Sequence, residues 1–249
     1  WTLRSEHAAV ARVSLRTGVI AGLITSVLVA YPTGHAQGRF VAEYQPVTLA
    51  AMEGRFESGR GAPIALIGQP NVAERRLDNA IEIPSILSWV AYGDFSADVR
   101  GLYEYPKEDW PTNVELLYYS YHIMVGLGTL FIAAMAVSAF LLWRSRLASA
   151  RWVLWSLCLA FPFPFIANTA GWMTAELGRQ PWLVYGLMRT SEGGSPTVHA
   201  GAALFTTLGF AGLYFLLGVL YLALVAKEIG HGPRALAGAP SQEPSTDNA

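Results

Sequence analysis

The sequence predicts an all-α integral membrane protein: four transmembrane helices with one large external loop between the first and the second. Three observations predict it. Of 249 residues, 53% are hydrophobic and only 14% charged, and mean hydropathy is +0.33, a balance that water-soluble domains rarely keep. Four stretches are long and apolar enough to cross a bilayer core, which takes about 20 helical residues. Positive charges collect at alternate ends of those stretches.

The first helix has its core at residues 17–31. It extends backward through Ala8, Ala9, Val10 and Ala11, with Arg12 and Arg16 near its entry. Pro32 and Gly34 are expected to end it, because proline lacks a donor and glycine favours helix ends. Residues 116–143 form the second helix and hold no Asp, Glu, Lys or Arg. Residues 152–175 form the third, also uncharged, and Pro162 and Pro164 are expected to kink it. Residues 197–225 form the fourth, within a charge-free run from 193 to 226.

In a four-span chain, Arg4, Arg12 and Arg16 fall on the same side as Arg144, Arg146 and Arg151, and as Lys227 and Arg234. Short positive loops stay in the cytoplasm. The segment 32–115 and the connection 179–196 are therefore expected outside. The chain divides into a cytoplasmic lead-in with the first helix (1–31), the external loop (32–115), a three-helix part (116–229) and a disordered cytoplasmic tail (230–249) rich in Pro, Ser, Gly and Ala. Within the loop, 47–56 reads as a short amphipathic helix. Residues 80–90 are apolar but too short to span, and are expected at the interface with Trp89, Tyr92, Tyr103 and Tyr105 at headgroup level. Trp1 with Arg4, Glu6, His7 and Arg12 lacks the pattern of a secretory signal. The start is expected to lie inside a longer coding region.

Charge and cysteine usage exclude other classes. A net charge of -1 leaves no basic face for nucleic acid. Cys158 is the single cysteine, inside an apolar run, so it makes neither an intrachain disulfide nor a metal site by itself.

Candidate chemistry concentrates at two places. Residues 152–175 are uncharged, and then come Glu176 and Arg179. A carboxylate at the edge of a bilayer core is costly and points to function. Positions three and four apart share a helix face, so Trp172, Glu176 and Arg179 form one column. From spacing alone, two readings stand: a Glu–Arg pair closing the helix with Trp172 in the interfacial belt, or a functional site. The second place is His122 and Met124 on the second helix. Two residues apart is about 200° of helix rotation, so they cannot both ligate one iron. Glu176 lies about 37 Å of helix from Arg151, and Met124 roughly 13 Å below the entry at Glu115. Both therefore fall in the outer half of the membrane.

Several runs carry a family resemblance. Gly171-Trp172, Glu176 and Gly178-Arg179-Gln180-Pro181-Trp182 resemble the signature of subunit I of the cytochrome bd-type quinol oxidases. Tyr121-His122-Ile123-Met124-Val125-Gly126-Leu127-Gly128 is similar to that family's seventh helix. Gln45 to Gly54 resembles the start of its quinol loop, here in a short form, and 204–214 its last helix. The resemblance covers nearly the whole chain but only the C-terminal part of the family's subunit, spans six to nine.

The resemblance implies a part in a terminal respiratory oxidase that passes electrons from quinol through b-type haems to oxygen, forming water and a proton gradient. It implies Met124 as an axial ligand to a low-spin haem b iron and Glu176 as ligand to a high-spin haem b iron. Trp172 and Arg179 would stand beside that second haem, with haem d or a further haem b as its partner. Glu53 and Glu74 would serve quinol binding. Thr48 stands where many relatives carry Lys, and His122 where some carry Arg. The implied partners are the N-terminal half of subunit I, with its His ligands, and subunit II, in the lipid of a bacterial plasma membrane; the fragment alone is expected to be inactive. Two alternatives are a non-redox polytopic transporter or channel module, and a haem-free assembly subunit.

Overall fold

The computed structural model describes residues 8–231. The first seven residues, and the expected tail beyond His231, lie outside the described residues. Four helices are long and apolar enough to cross a membrane: Ala8–Tyr44, Val114–Trp143, Arg151–Arg179 and Ala200–His231. The predicted fold class holds. The chain divides into two compact units between Gly194 and Ser195.

In the first unit, α1 (Ala8–Leu28) leads into a wide turn, Val29–Gly34, and α2 (His35–Tyr44) follows. Pro32 was expected to end the helix, and α1 does break there; the helix that follows it was not expected. Tyr31 turns extended (φ -147°, ψ 125°), as residues before proline do. The chain then re-enters helix at His35 and carries Ala42 into the core of the following segment. The membrane-length helix thus reaches Tyr44.

The segment after α2 is a folded cap rather than an open loop. Its first helix, α3 (Pro46–Met52), is buried at Val47, Thr48, Leu49, Ala50 and Ala51 in succession. It is therefore not amphipathic, because it is covered on all sides. Val47, Ala50 and Ala51 join Phe56, Leu102, Trp110, Val114 and Leu117 in one core. Leu49 joins Ala42, Ala62, Leu87, Ala91 and Val99 in another. Leu117 is fully buried, which contributes roughly 1.5–3 kcal/mol.

Next come β1 (Gly59–Arg60), β2 (Ile64–Asn71), β3 (Arg76–Ile83), α4 (Ile86–Tyr92) and β4 (Asp98–Val99). β2 and β3 form an antiparallel hairpin, with Ile64 opposite Ile83 and Asn71 opposite Arg76. Asn71 closes the turn by accepting from the Glu74 amide at 3.0 Å. β1 pairs with β4. The apolar run 80–90, expected as one interfacial stretch, is split between β3 and α4, with Ser85 at φ 63° between them. Trp89 and Tyr103 are exposed. Tyr105 instead packs against the core with its hydroxyl buried.

Asn113 starts α5 (Val114–Trp143) by accepting from the Leu116 amide at 3.0 Å. The third span is two helices, α6 (Arg151–Leu159) and α7 (Phe163–Arg179), interrupted where Pro162 and Pro164 stand. Proline is tolerated in a first turn but not in a helix interior, so α7 restarts on them. α5 packs along α7 and along α1. A Cβ on Gly22 of α1 would sit 3.0 Å from the Met135 sulfur of α5. Val19, Leu147 and Val153 form a third core with α1. A short hairpin, β5 (Trp182–Val184) and β6 (Met188–Arg189), follows α7.

The second unit holds α8 (Ala200–His231), the fourth membrane-length helix, with none of its residues buried.

Candidate functional site

α7 buries Ala170, Thr174 and Gly178. These lie four residues apart and form one stripe toward its neighbours. Trp172 and Glu176 sit two residues off that stripe, about 200° around the helix. The column Trp172–Glu176–Arg179 accordingly faces away from the packed side. Trp172 is 64% exposed. Glu176 and Arg179 form an ion pair and are both about two-fifths exposed. The predicted column is present, with its carboxylate held by its own guanidinium.

Met124 is half-buried on α5 and its side chain lies across α7. A Cβ on Gly171 would stand 2.9 Å from its sulfur. Gly171 is the residue before Trp172, so the thioether and the column meet on adjacent residues of α7 while facing different sides of it. His122 does not share the sulfur's surroundings. Its Nδ1 faces the Tyr118 carbonyl at 2.9 Å and its Nε2 the Ala65 carbonyl of β2 at 3.0 Å. The Tyr118 ring stacks on the imidazole, with centroids 3.9 Å apart.

Glu53 follows α3 and is 3% exposed. Neither carboxylate oxygen has a hydrogen-bond partner of ordinary geometry. No ion pair among the described residues involves it. Burial raises its pKa to about 7, while the Tyr121 hydroxyl and the Ala65 backbone pull the other way without closing a normal bond. Gly54 beside it adopts φ +62°, and a Cβ there would meet Leu77 and Tyr118 at 3.0–3.2 Å. Arg55 is half-buried, and burial lowers its pKa, with Glu82, Asp98 and Glu57 opposing. Glu74 stands in the opposite environment. It is exposed in the hairpin turn and paired with Arg76 at 2.7 Å.

Two contacts of this site were not foreseen. Thr48 Oγ1 donates to the Gly178 carbonyl at 2.8 Å, in the interior. The last four carbonyls of a helix lack intrahelical donors, so Thr48 satisfies an end of α7. The other contact is the two-carbonyl seat of His122. Its signal was the four-residue spacing of Tyr118 and His122; nothing in the sequence marked Ala65. The run after Gly178 is also built into structure. Gln180 accepts from Thr190 at 2.7 Å. Arg189 lies over the Trp182 ring at 4.8 Å and pairs with Asp109 at 2.7 Å.

Among the described residues no three His, Cys, Asp or Glu gather as a metal centre. The two predicted ligands, Met124 on α5 and Glu176 on α7, are a thioether and a carboxylate that stand on separate helices. That donor set suits a haem iron, which takes its axial ligands one at a time from separate elements.

The model of the family described as cytochrome bd terminal oxidase subunit I matches residues 1–233. The chain belongs to this family. Among curated relatives, a cytochrome bd ubiquinol oxidase subunit 1 of Bacillus subtilis (strain 168) is 37% identical over 228 residues, covering 88% of this chain and 48% of the relative. A putative cytochrome bd menaquinol oxidase subunit I of the same organism is 34% identical, covering 88% and 46%. The solved bd oxidase from Geobacillus thermodenitrificans matches with a TM-score of 0.71 at 32% identity, over 85% of this chain and 48% of that one. The chain spans about half the length of the curated relatives it matches. Membership in the cytochrome bd subunit I family favours the oxidase reading over a transporter or channel module. Haem cofactors and a quinol substrate belong to that family in general. With four membrane-length helices, it makes the chain a multi-pass protein of the bacterial plasma membrane.

Proposed function

We propose that this chain is the quinol-oxidising and haem-ligating C-terminal part of subunit I in a quinol:oxygen oxidoreductase. The observation that carries it is Glu53: a carboxylate fully buried, unpaired, and beside Tyr121 of α5. Quinol oxidation releases two protons. A carboxylate that titrates near neutrality is matched to receive one of them. As the quinol gives up its electrons, one hydroxyl O–H breaks and its proton passes to a Glu53 oxygen, which later releases it to the external side. Glu74, exposed and paired, serves the quinol entrance through charge alone.

Met124 would hold the low-spin haem b iron and Glu176 the high-spin one, with haem d or a further haem b as the second centre at the oxygen site. When bound, these groups carry the electrons from quinol to oxygen. Met124 supplies a thioether seated on Gly171, a ligand that raises the potential of its iron. Glu176 supplies negative charge at the edge of the apolar layer, and Arg179 offsets it before ligation. Trp172 supplies a flat apolar wall. The remaining ligands would come from the N-terminal half of subunit I, and subunit II would complete the complex.

The test is the complete oxidase carrying this sequence, purified with its partner subunit. Haem absorption and quinol-dependent oxygen uptake are expected, and a Glu53→Gln variant should keep the first and lose most of the second. Absence of both in the unmutated complex would refute the proposal.

A further inference from the structure

We infer that Thr48 and His122 are positioning residues that clamp the Glu53-bearing segment to the two helices carrying Met124 and Glu176. The inference rests on the reading of Glu53 as the quinol proton acceptor. Glu53 lies between Thr48 and Ala65 in sequence. At one end, Thr48 donates to Gly178 of α7 at 2.8 Å, between Glu176 and Arg179. At the other, His122 of α5, two residues before Met124, faces the Ala65 carbonyl of β2 at 3.0 Å. The segment 48–65 is thus fastened to α7 at its start and to α5 at its end.

Both fastenings are built rather than incidental. Thr48 is 5% exposed, and its methyl lies where a Cβ on Gly178 would come within 2.7 Å. The glycine lets α3 approach α7 closely enough for the hydroxyl to reach the carbonyl. His122 is held by the Tyr118 ring stacked on one side and by Tyr121 edge-on at 5.3 Å. Each ring nitrogen faces a backbone carbonyl, so a ring N–H finds an acceptor on either side. Ala65 is the shared point, since its carbonyl faces His122 while its backbone also acts on Glu53.

The clamp matters because rate depends steeply on placement. A displacement of about 1 Å at a reacting group can cost roughly 10²-fold. Neither clamp residue needs to touch quinol, so loosening them moves turnover rather than binding.

The test uses the assembled oxidase with Thr48→Val, Thr48→Ser, His122→Phe and His122→Gln. Thr48→Val keeps the shape and removes the donor, and Thr48→Ser restores it. His122→Phe keeps the ring stack without a donor, and His122→Gln returns one. Expected are roughly tenfold or larger losses of kcat for quinol in the Val and Phe variants, with KM within about threefold. The Ser and Gln variants should recover most of the loss. Haem spectra after chemical reduction should match across all four. Equal kcat in Thr48→Val, Thr48→Ser and the unmutated complex would overturn the clamp while leaving the oxidase reading standing. Failure of the Ser and Gln variants to recover would do the same. No quinol-driven oxygen uptake in the unmutated complex would overturn the oxidase reading, and the clamp with it.

Discussion

The Met124 sulfur lies 2.9 Å from the point where a Cβ on Gly171 would sit. α5 and α7 therefore meet at a thioether laid over a bare backbone. Thioethers are flexible and polarisable, and fill such gaps well. Gly171→Ala should push the sulfur off α7 without unfolding the pair. The expected result is a shifted or weakened low-spin haem band. Met124→Leu sharpens the test, because a volume-conserving swap costs under about 1.5 kcal/mol. It should leave membrane-inserted yield near normal and abolish the low-spin signature in the optical spectrum of the assembled oxidase.

Glu53 predicts a pH dependence of both stability and rate. Burial raises its pKa from 4.5 to about 7. A carboxyl raised on folding binds more protons in the folded than in the unfolded chain between those values. Stability therefore falls as pH climbs from 4.5 to 7, by about 3 kcal/mol in total, and is level below and above. Glu53→Gln should remove that slope, so that thermal unfolding at about pH 8 is no easier than at about pH 5. The rate runs the opposite way. Only the carboxylate accepts a proton, so quinol-driven turnover should rise through about pH 7. Glu53→Gln should lose that rise and roughly 10²-fold in rate or more, measured as oxygen uptake across the pH range.

The Glu176–Arg179 pair should matter little for stability. Both side chains are about two-fifths exposed, and exposed pairs contribute at most about 1 kcal/mol. Glu176→Gln should therefore melt within a few degrees of the unmutated protein. The same substitution removes the anionic oxygen and should eliminate the high-spin haem signal. A large drop in melting temperature with the haem retained would show the pair to be a structural cap, the plainer of the two readings that spacing allowed.

What was legible in the sequence follows from the range of the forces involved. The membrane-length helices were readable because apolar length alone decides membrane insertion, and the break at Pro162 because proline acts locally. The Trp172–Glu176–Arg179 column was readable from helix periodicity. The cap was not. α3 is buried at five successive positions because two cores and α7 cover it, and no helical stripe records that. The β2–β3 hairpin is held by pairing across a turn that lacks glycine, with Asn71 and Arg75 doing its work: Asn71 accepts the turn amide and Arg75 takes φ 57°. The helix beyond Pro32 was missed because the proline penalty is local, while Ala42 is drawn into a core built by residues up to Val99. At the site, Glu53 could be named from its motif, but its burial depends on the fold that brings Ala65 of β2 and Tyr121 of α5 to it, both distant in sequence.

Gly178 offers a reversible test of the close approach between α3 and α7. A Cβ there would meet the Thr48 methyl at 2.7 Å and Leu117 at 3.6–3.8 Å. The Leu117 contacts are ordinary van der Waals distances, so the Thr48 methyl is the collision. Gly178→Ala should destabilise by about 1–3 kcal/mol, the usual cost of overpacking a tight interior. Thr48→Ser removes that methyl and keeps the hydroxyl that donates to the Gly178 carbonyl. The double variant Gly178→Ala with Thr48→Ser should therefore recover most of the lost stability, whereas Gly178→Ala with Thr48→Val should not. Thermal unfolding of the four proteins in one double-mutant cycle checks this, because residues in contact depart from additivity by about 0.5–3 kcal/mol. Additive losses would mean that α7 shifts as a whole to admit the new methyl, and that the approach of α3 is not set at Gly178.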